Sequence, residues 1–138
     1  MRIVVVEDNE LYRDELLECL EQEESDIEII GSAANGARGL ALVEKLVWEK
    51  AGPDVIFTDI RMSEMDGFEM IEALQKRKIS CKIVITSSCP EFLYAKRAME
   101  LGAVDFLVKP LKTYEVRNVL RRLRRELESE KKWKHILN

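Results

Sequence analysis

Five polar residues sit where short apolar runs end. Ile3-Val4-Val5-Val6 runs into Glu7 and Asp8, Val55-Ile56-Phe57-Thr58 into Asp59, Ile83-Val84-Ile85-Thr86 into Ser87, and Val104–Val108 into Lys109. If each run is a strand of one parallel sheet, three acids, a hydroxyl and an amine converge on one rim, since sites in such sheets form outside the carboxyl ends of the strands. Three carboxylates brought within a few ångströms repel one another and raise each other's pKa unless a cation lies between them. All-oxygen ligation with positions left for water suits Mg2+ or Mn2+ rather than zinc. The sole histidine, His135, is far away in the tail, so there is no His–Cys cluster. A metal, a carboxylate nucleophile and a lysine are the equipment of phosphoryl transfer.

The elements that must position these groups are legible in the pattern of the chain. Ile3–Val6 is apolar throughout, as a strand buried on both faces is. Leu11, Leu16, Leu17 and Leu20 follow at helical spacing. Ile27–Ile30 reads as a weaker second strand closed by Gly31. Ala37, Leu40, Ala41 and Val47 mark a second helix, expected to end near Gly52-Pro53. After the third strand, Met70, Ile71 and Leu74 lie on a third helix. After the fourth come Ala95, Ala98 and Met99 on another, and a long helix follows Pro110. Five alternating β–α units imply an α/β fold with a parallel sheet covered by helices on both faces. Periodicity does not fix the strand order.

In the last helix Val116, Leu120, Leu123 and Leu127 form a short heptad seam, which is readily the face packed on the sheet. Trp133, Ile136 and Leu137 lie beyond what such a domain needs, so either the chain continues into another module or this end pairs with a second copy.

The 138 residues fit one compact domain, and 46% apolar with 35% charged is ordinary for a soluble protein. No stretch approaches the roughly 20 apolar residues of a membrane span, and the N-terminal run is too short for a signal peptide. Cys19, Cys81 and Cys89 have neither CxxC nor metal-ligand spacing, which suits free thiols in a reducing cytoplasm. The net charge of −4 hides an asymmetry, because residues 112–138 carry nine Lys and Arg against four Glu. A solvated helix face accounts for that excess more simply than nucleic-acid binding.

Over residues 2 to about 125 the chain resembles bacterial two-component response-regulator receiver domains. The resemblance rests on VVVED at 4–8, TDIRMSEMDG at 58–67, ITSS at 85–88 and AVDFLVKP at 103–110. It implies a doubly wound five-stranded sheet of order 2-1-3-4-5, the flavodoxin-like receiver fold, here with an extended last helix. It implies Asp59 as phosphoacceptor, and Glu7, Asp8, Asp59 and the backbone carbonyl of Arg61 as ligands of Mg2+ or Mn2+. Lys109 and Ser87 would contact the phosphoryl group, Ser87 and Phe106 would be the switch residues, and Lys109–Pro110 would be cis.

The resemblance further implies a phosphorylation switch served by a sensor histidine kinase, with no enzymatic turnover beyond its own phosphorylation and dephosphorylation. Its output face would be the fourth helix, fifth strand and fifth helix, presenting Tyr94, Arg97 and Phe106. Residues 90–111 look closest to receivers joined to AraC-type DNA-binding domains. Residues 1–125 are then the receiver and 126–138 a helical extension or the start of a linker. Dimerisation would follow phosphorylation, and DNA would be reached only through a separate output domain.

The departures are Ser63 in place of the usual Pro, which implies a looser loop after Asp59, and Cys89-Pro90 after ITSS. A stand-alone or phosphorylation-independent receiver acting only as a protein-interaction module on the same fold is the alternative, though no acid and no lysine of the set is missing. A haloacid-dehalogenase-type phosphatase needs a second Asp where Arg61 stands, and no phosphate-binding GxxxxGK[ST] loop is present. Asp66-Gly67 reads as a turn and helix start.

Overall fold

The computed structural model describes residues 1–23 and 26–137. Strands and helices alternate as β1 (Arg2–Val6), α1 (Glu10–Glu21), β2 (Glu28–Ala33), α2 (Gly36–Trp48), β3 (Val55–Asp59), α3 (Gly67–Lys76), β4 (Lys82–Ser87), α4 (Phe92–Glu100), β5 (Asp105–Val108) and α5 (Thr113–Leu137). All pairings are parallel, in the order β2-β1-β3-β4-β5. This is the expected doubly wound flavodoxin-like sheet.

Strict alternation of side chains divides the apolar runs between two cores. Val4, Val6, Ile56, Ile83 and Ile85 face α2, α3 and α4, where they meet Leu40, Val43, Met70, Ile71, Leu74 and Ala98. Ile3, Val5, Val55, Phe57, Val84 and Leu107 face α1 and α5, where they meet Leu16, Leu20, Val116, Val119, Leu120 and Leu123. Continuous Val and Ile runs are what a sheet buried on both sides requires.

Several local expectations are corrected. Gly31 does not close β2, which continues to Ala33. The register with β1 shifts there, Ile3 opposing Ile29 but Val4 opposing Gly31, so Ile30 is the extra residue of a bulge. Glycine suits the place because a Cβ would come within 2.9 Å of the Leu42 side chain. Helix α2 ends at Trp48, short of Gly52-Pro53, because Lys50 adopts a left-handed φ of 59° and Ala51 N–H returns to Leu46 O at 2.8 Å. Leu11 and Met99 fall on their helices but stand in solvent.

The α5 seam is a sheet-facing stripe, with Val116, Leu120 and Leu123 buried and Leu127 partly so. Farther along, Trp133 and Ile136 are exposed, while the side chain of Leu137 lies outside the described residues. Lys82 on β4 pairs with Glu130 at 2.5 Å, tying the extension to the base of the sheet. Among the described residues, no helix is long and apolar enough to cross a membrane.

Candidate functional site

Sheet register brings the polar groups together. Val6 pairs with Thr58, so Glu7 leaves β1 beside Asp59, the last residue of β3. Asp59 in turn pairs with Thr86, and Ser87 with Val108. The Lys109 N–H donates to Ser87 O at 2.8 Å, which places the lysine just past the end of β5, on the same rim. Its long side chain reaches back across β4. The Lys109 ammonium donates to Asp59 Oδ2 at 3.1 Å and also contacts Glu7 Oε1. Carboxylate oxygens of Glu7, Asp8 and Asp59 all lie within 4.8 Å of one another. The Lys109–Pro110 peptide bond is cis.

These groups differ sharply in burial. Glu7 is 2% exposed, Asp59 9% and Lys109 8%, whereas Asp8 faces solvent. Glu7 Oε2 accepts from the Asn9 N–H at 3.2 Å. Asn9 also caps α1 by accepting from the Tyr12 N–H, so the turn that starts the helix fixes the acid pair. Burial pushes the Glu7 carboxyl up to about 7; the Lys109 hydrogen bond pulls against this and repulsion from Asp59 adds to it. Asp59 Oδ1 accepts from the Ile60 N–H at 2.7 Å.

Three acids against one ammonium leave a deficit of positive charge that a divalent cation matches. The donors are all oxygen and one acid is open to solvent, which fits a hard cation that keeps part of its water.

The loop after Asp59 is tied at both ends. Gly67 N–H donates to Ile60 O at 2.8 Å and Gly36 N–H to Met65 O at 2.9 Å. Gly67 must lack a side chain, since a Cβ would sit 2.2 Å from Asp59 O. Asp66 and Glu69 form a capping box at the start of α3, in keeping with the turn-and-helix reading of Asp66-Gly67. Arg61 follows in this loop, and its guanidinium donates to the Tyr94 hydroxyl at 2.8 and 3.2 Å.

Ser87 is 3% exposed, and its Oγ accepts from the Cys89 N–H at 3.0 Å. It therefore shapes the β4–α4 turn and does not cap α4, whose N-cap is Glu91. Phe106 is half-buried against the core beneath α4. Tyr94 and Arg97 are held by α3: the Tyr94 ring meets Phe68 edge-on at 6.0 Å, and Arg97 pairs with Glu72 and lies over Phe68.

Sequence reasoning missed Tyr12, whose ring lies 4.4 Å from the Lys109 ammonium. The available signal was its place in the first turn after the acid pair, because helical side chains lean back over the preceding turn. It also missed the Arg61–Tyr94 contact, which joins residues 33 apart and has no local signature.

Comparisons with known proteins agree on one family. A family model described as the response regulator receiver domain matches residues 3–121. Transcriptional regulatory protein BtsR of Escherichia coli is 36% identical over 126 residues, 91% of this chain and 49% of that protein. Protein-glutamate methylesterase/protein-glutamine glutaminase 2 of Koribacter versatilis is 37% identical over 111 residues, 80% of this chain and 29% of that protein. Among solved structures, the response regulatory domain of protein mrkE from Klebsiella pneumoniae has a TM-score of 0.80 at 27% identity, covering 94% of this chain and 99% of that one. The chain thus spans about half or less of the curated relatives it matches.

Proposed function

The chain belongs to the response-regulator receiver domain family, and on that premise we propose that it is a phosphorylation switch, accepting a phosphoryl group from a sensor histidine kinase onto Asp59 with Mg2+ bound beside it. The observation that carries this reading is the Lys109 ammonium donating to the Asp59 carboxylate at the rim where Glu7 and Asp8 also gather.

In this reading Glu7, Asp8, Asp59 and the Arg61 carbonyl would hold the Mg2+ (or Mn2+), and the ion, when bound, would supply charge neutralisation for the phosphoryl oxygens. An Asp59 carboxylate oxygen attacks phosphorus, forming the acyl phosphate. The bond from phosphorus to the kinase imidazole nitrogen breaks, and its electron pair leaves with the imidazole. Lys109 exchanges part of its pairing with the carboxylates for the phosphoryl oxygens and neutralises their charge. Ser87 gives up its hydrogen bond within the Cys89 turn and donates to the phosphoryl group. Phe106 repacks beside it, and the two act as the switch pair that alters the α4-β5-α5 face.

The output is control of transcription, in keeping with the similarity to a transcriptional regulatory protein. Residues 1–125 form the receiver, and the stretch 126–138, of which the residues up to 137 continue α5, leads toward an output domain that makes the DNA contact. Phosphorylation favours a homodimer, the protein works in the cytoplasm, and its chemistry is confined to its own phosphorylation and dephosphorylation. The alternating outputs of its relatives, one a regulator and one a methylesterase, fit a receiver that carries the switch and leaves the output chemistry elsewhere.

The test is incubation with acetyl phosphate followed by intact-mass measurement. The expected result is a gain of one phosphoryl group with Mg2+, none with chelator and none in Asp59→Asn. Equal labelling of Asp59→Asn and the wild type would overturn the assignment.

A further inference from the structure

The Lys109 ammonium has three N–H bonds, and the site engages it from three sides. Glu7 and Asp59 contact it, and the face of the Tyr12 ring lies against it, with Nζ 4.4 Å from the ring centroid. The lysine side chain is only 3% exposed, so little of the cation is left to water. A ring face attracts an ammonium through its quadrupole, and it does so without adding a formal negative charge to a site that already holds three carboxylates. An aliphatic residue at position 12 would give the ammonium no electrostatic partner on that side, and a small one would leave the place to water.

Tyr12 reaches this position because α1 begins at Glu10 and the Asn9 cap accepts the Tyr12 N–H at 3.0 Å. From the first turn, the ring leans back over the Glu7-Asp8 turn. The inner face of α1 is packed by Leu16 and Leu20, and Tyr12 is not among the residues packed against either core. The contact its ring makes with the site is the one with the lysine.

We propose that Tyr12 is a positioning residue for phosphoryl transfer, holding the Lys109 ammonium aimed at Asp59 through a cation–π contact. The proposal rests on the phosphoacceptor reading above. Phosphoryl transfer draws its rate mainly from placement of charge, so a lysine free to swing away is expected to slow it.

The experiment compares wild type, Tyr12→Phe, Tyr12→Leu, and full-length protein carrying mono-, di- and trifluorinated phenylalanine at position 12. Two quantities are read: the upfield ring-current shift of the Lys109 ε-protons by NMR in metal-free protein, and the initial rate of phosphorylation by acetyl phosphate at saturating Mg2+. Tyr12→Phe is expected to keep both the shift and the rate. Tyr12→Leu is expected to lose the shift and slow phosphorylation roughly threefold to tenfold, from the usual strength of such contacts. Successive fluorines preserve shape while draining the ring quadrupole, so the rate should fall stepwise along that series. A purely packing role would not produce such a gradient. The fluorinated series also decides the matter should Tyr12→Leu fold poorly. Wild-type labelling at Asp59 combined with rates indifferent to fluorination would overturn this inference and leave the phosphoacceptor reading intact. A wild type that takes up no phosphoryl group overturns both.

Discussion

Glu7 is the most deeply buried of the three acids gathered beside Lys109. Its carboxyl is forced up to about 7 from the ordinary 4.5, chiefly by burial. In the metal-free protein the folded state therefore binds the Glu7 proton more tightly than the unfolded chain. The resulting stability is fully present below pH 4.5 and is lost as pH rises toward 7, by on the order of 3 kcal/mol. Urea unfolding in chelator is expected to show wild type declining against Glu7→Gln across that window, with Mg2+ opposing the decline at neutral pH. A gap between the two proteins that stays constant from pH 4.5 to 7.5 would contradict this. The acids and the lysine were legible in the sequence because each ends an apolar run. Which acid is buried was not, since Glu7 and Asp8 are adjacent and only the turn through Asn9 separates an inward carboxylate from an outward one.

Helix ends show how an element can be stopped without the residue that usually marks the stop. Helices α2, α3 and α4 all finish with the same paired hydrogen bonds, and the left-handed residue is Lys50, Lys78 and Gly102 respectively, at φ 59°, 57° and 87°. A non-glycine residue there carries a steric penalty that glycine escapes, partly offset by the greater chain entropy glycine loses on folding. Lys78 is exposed, so Lys78→Gly is expected to stabilise the fold by about 0.5–1 kcal/mol, read as a higher urea midpoint at unchanged slope. A lower midpoint would show that the lysine side chain contributes more than the backbone strain costs. The same three ends explain the misplaced boundary of α2. Glycine and proline are the local signals for a stop, and at Lys50 hydrogen bonding to the preceding turn achieved it without them. Gly31 misled in the opposite direction, because it serves a close approach of Leu42 inside a strand.

Across the whole molecule, apolar runs revealed which strands are buried on both faces, but no periodicity says which strands are neighbours. The order β2-β1-β3-β4-β5 was legible only through the resemblance of the site motifs, and it is this order that sets β1 against β3 and so Glu7 beside Asp59. The long last helix was equally legible, while the fate of its apolar stripe depended on the sheet lying beneath it. With that stripe consumed by the core, the pairing proposed above would draw on exposed apolar groups of the α4-β5-α5 side, including Met99 and Val108, together with Trp133 and Ile136 on the extension. Addition of beryllofluoride and Mg2+ is expected to raise the dimer fraction in analytical ultracentrifugation. Equal monomer fractions with and without the phosphoryl mimic would count against phosphorylation-driven pairing.

The proposed switch requires Glu7, Asp8 and Asp59 to share one divalent ion next to Lys109. Anomalous diffraction from crystals soaked in Mn2+ tests it most directly. The expected map has a single strong peak coordinated by Asp8 and Asp59 with Glu7 alongside, and no such peak in Asp8→Asn. A well-occupied peak elsewhere, with the three carboxylates left bare at saturating Mn2+, would contradict the account.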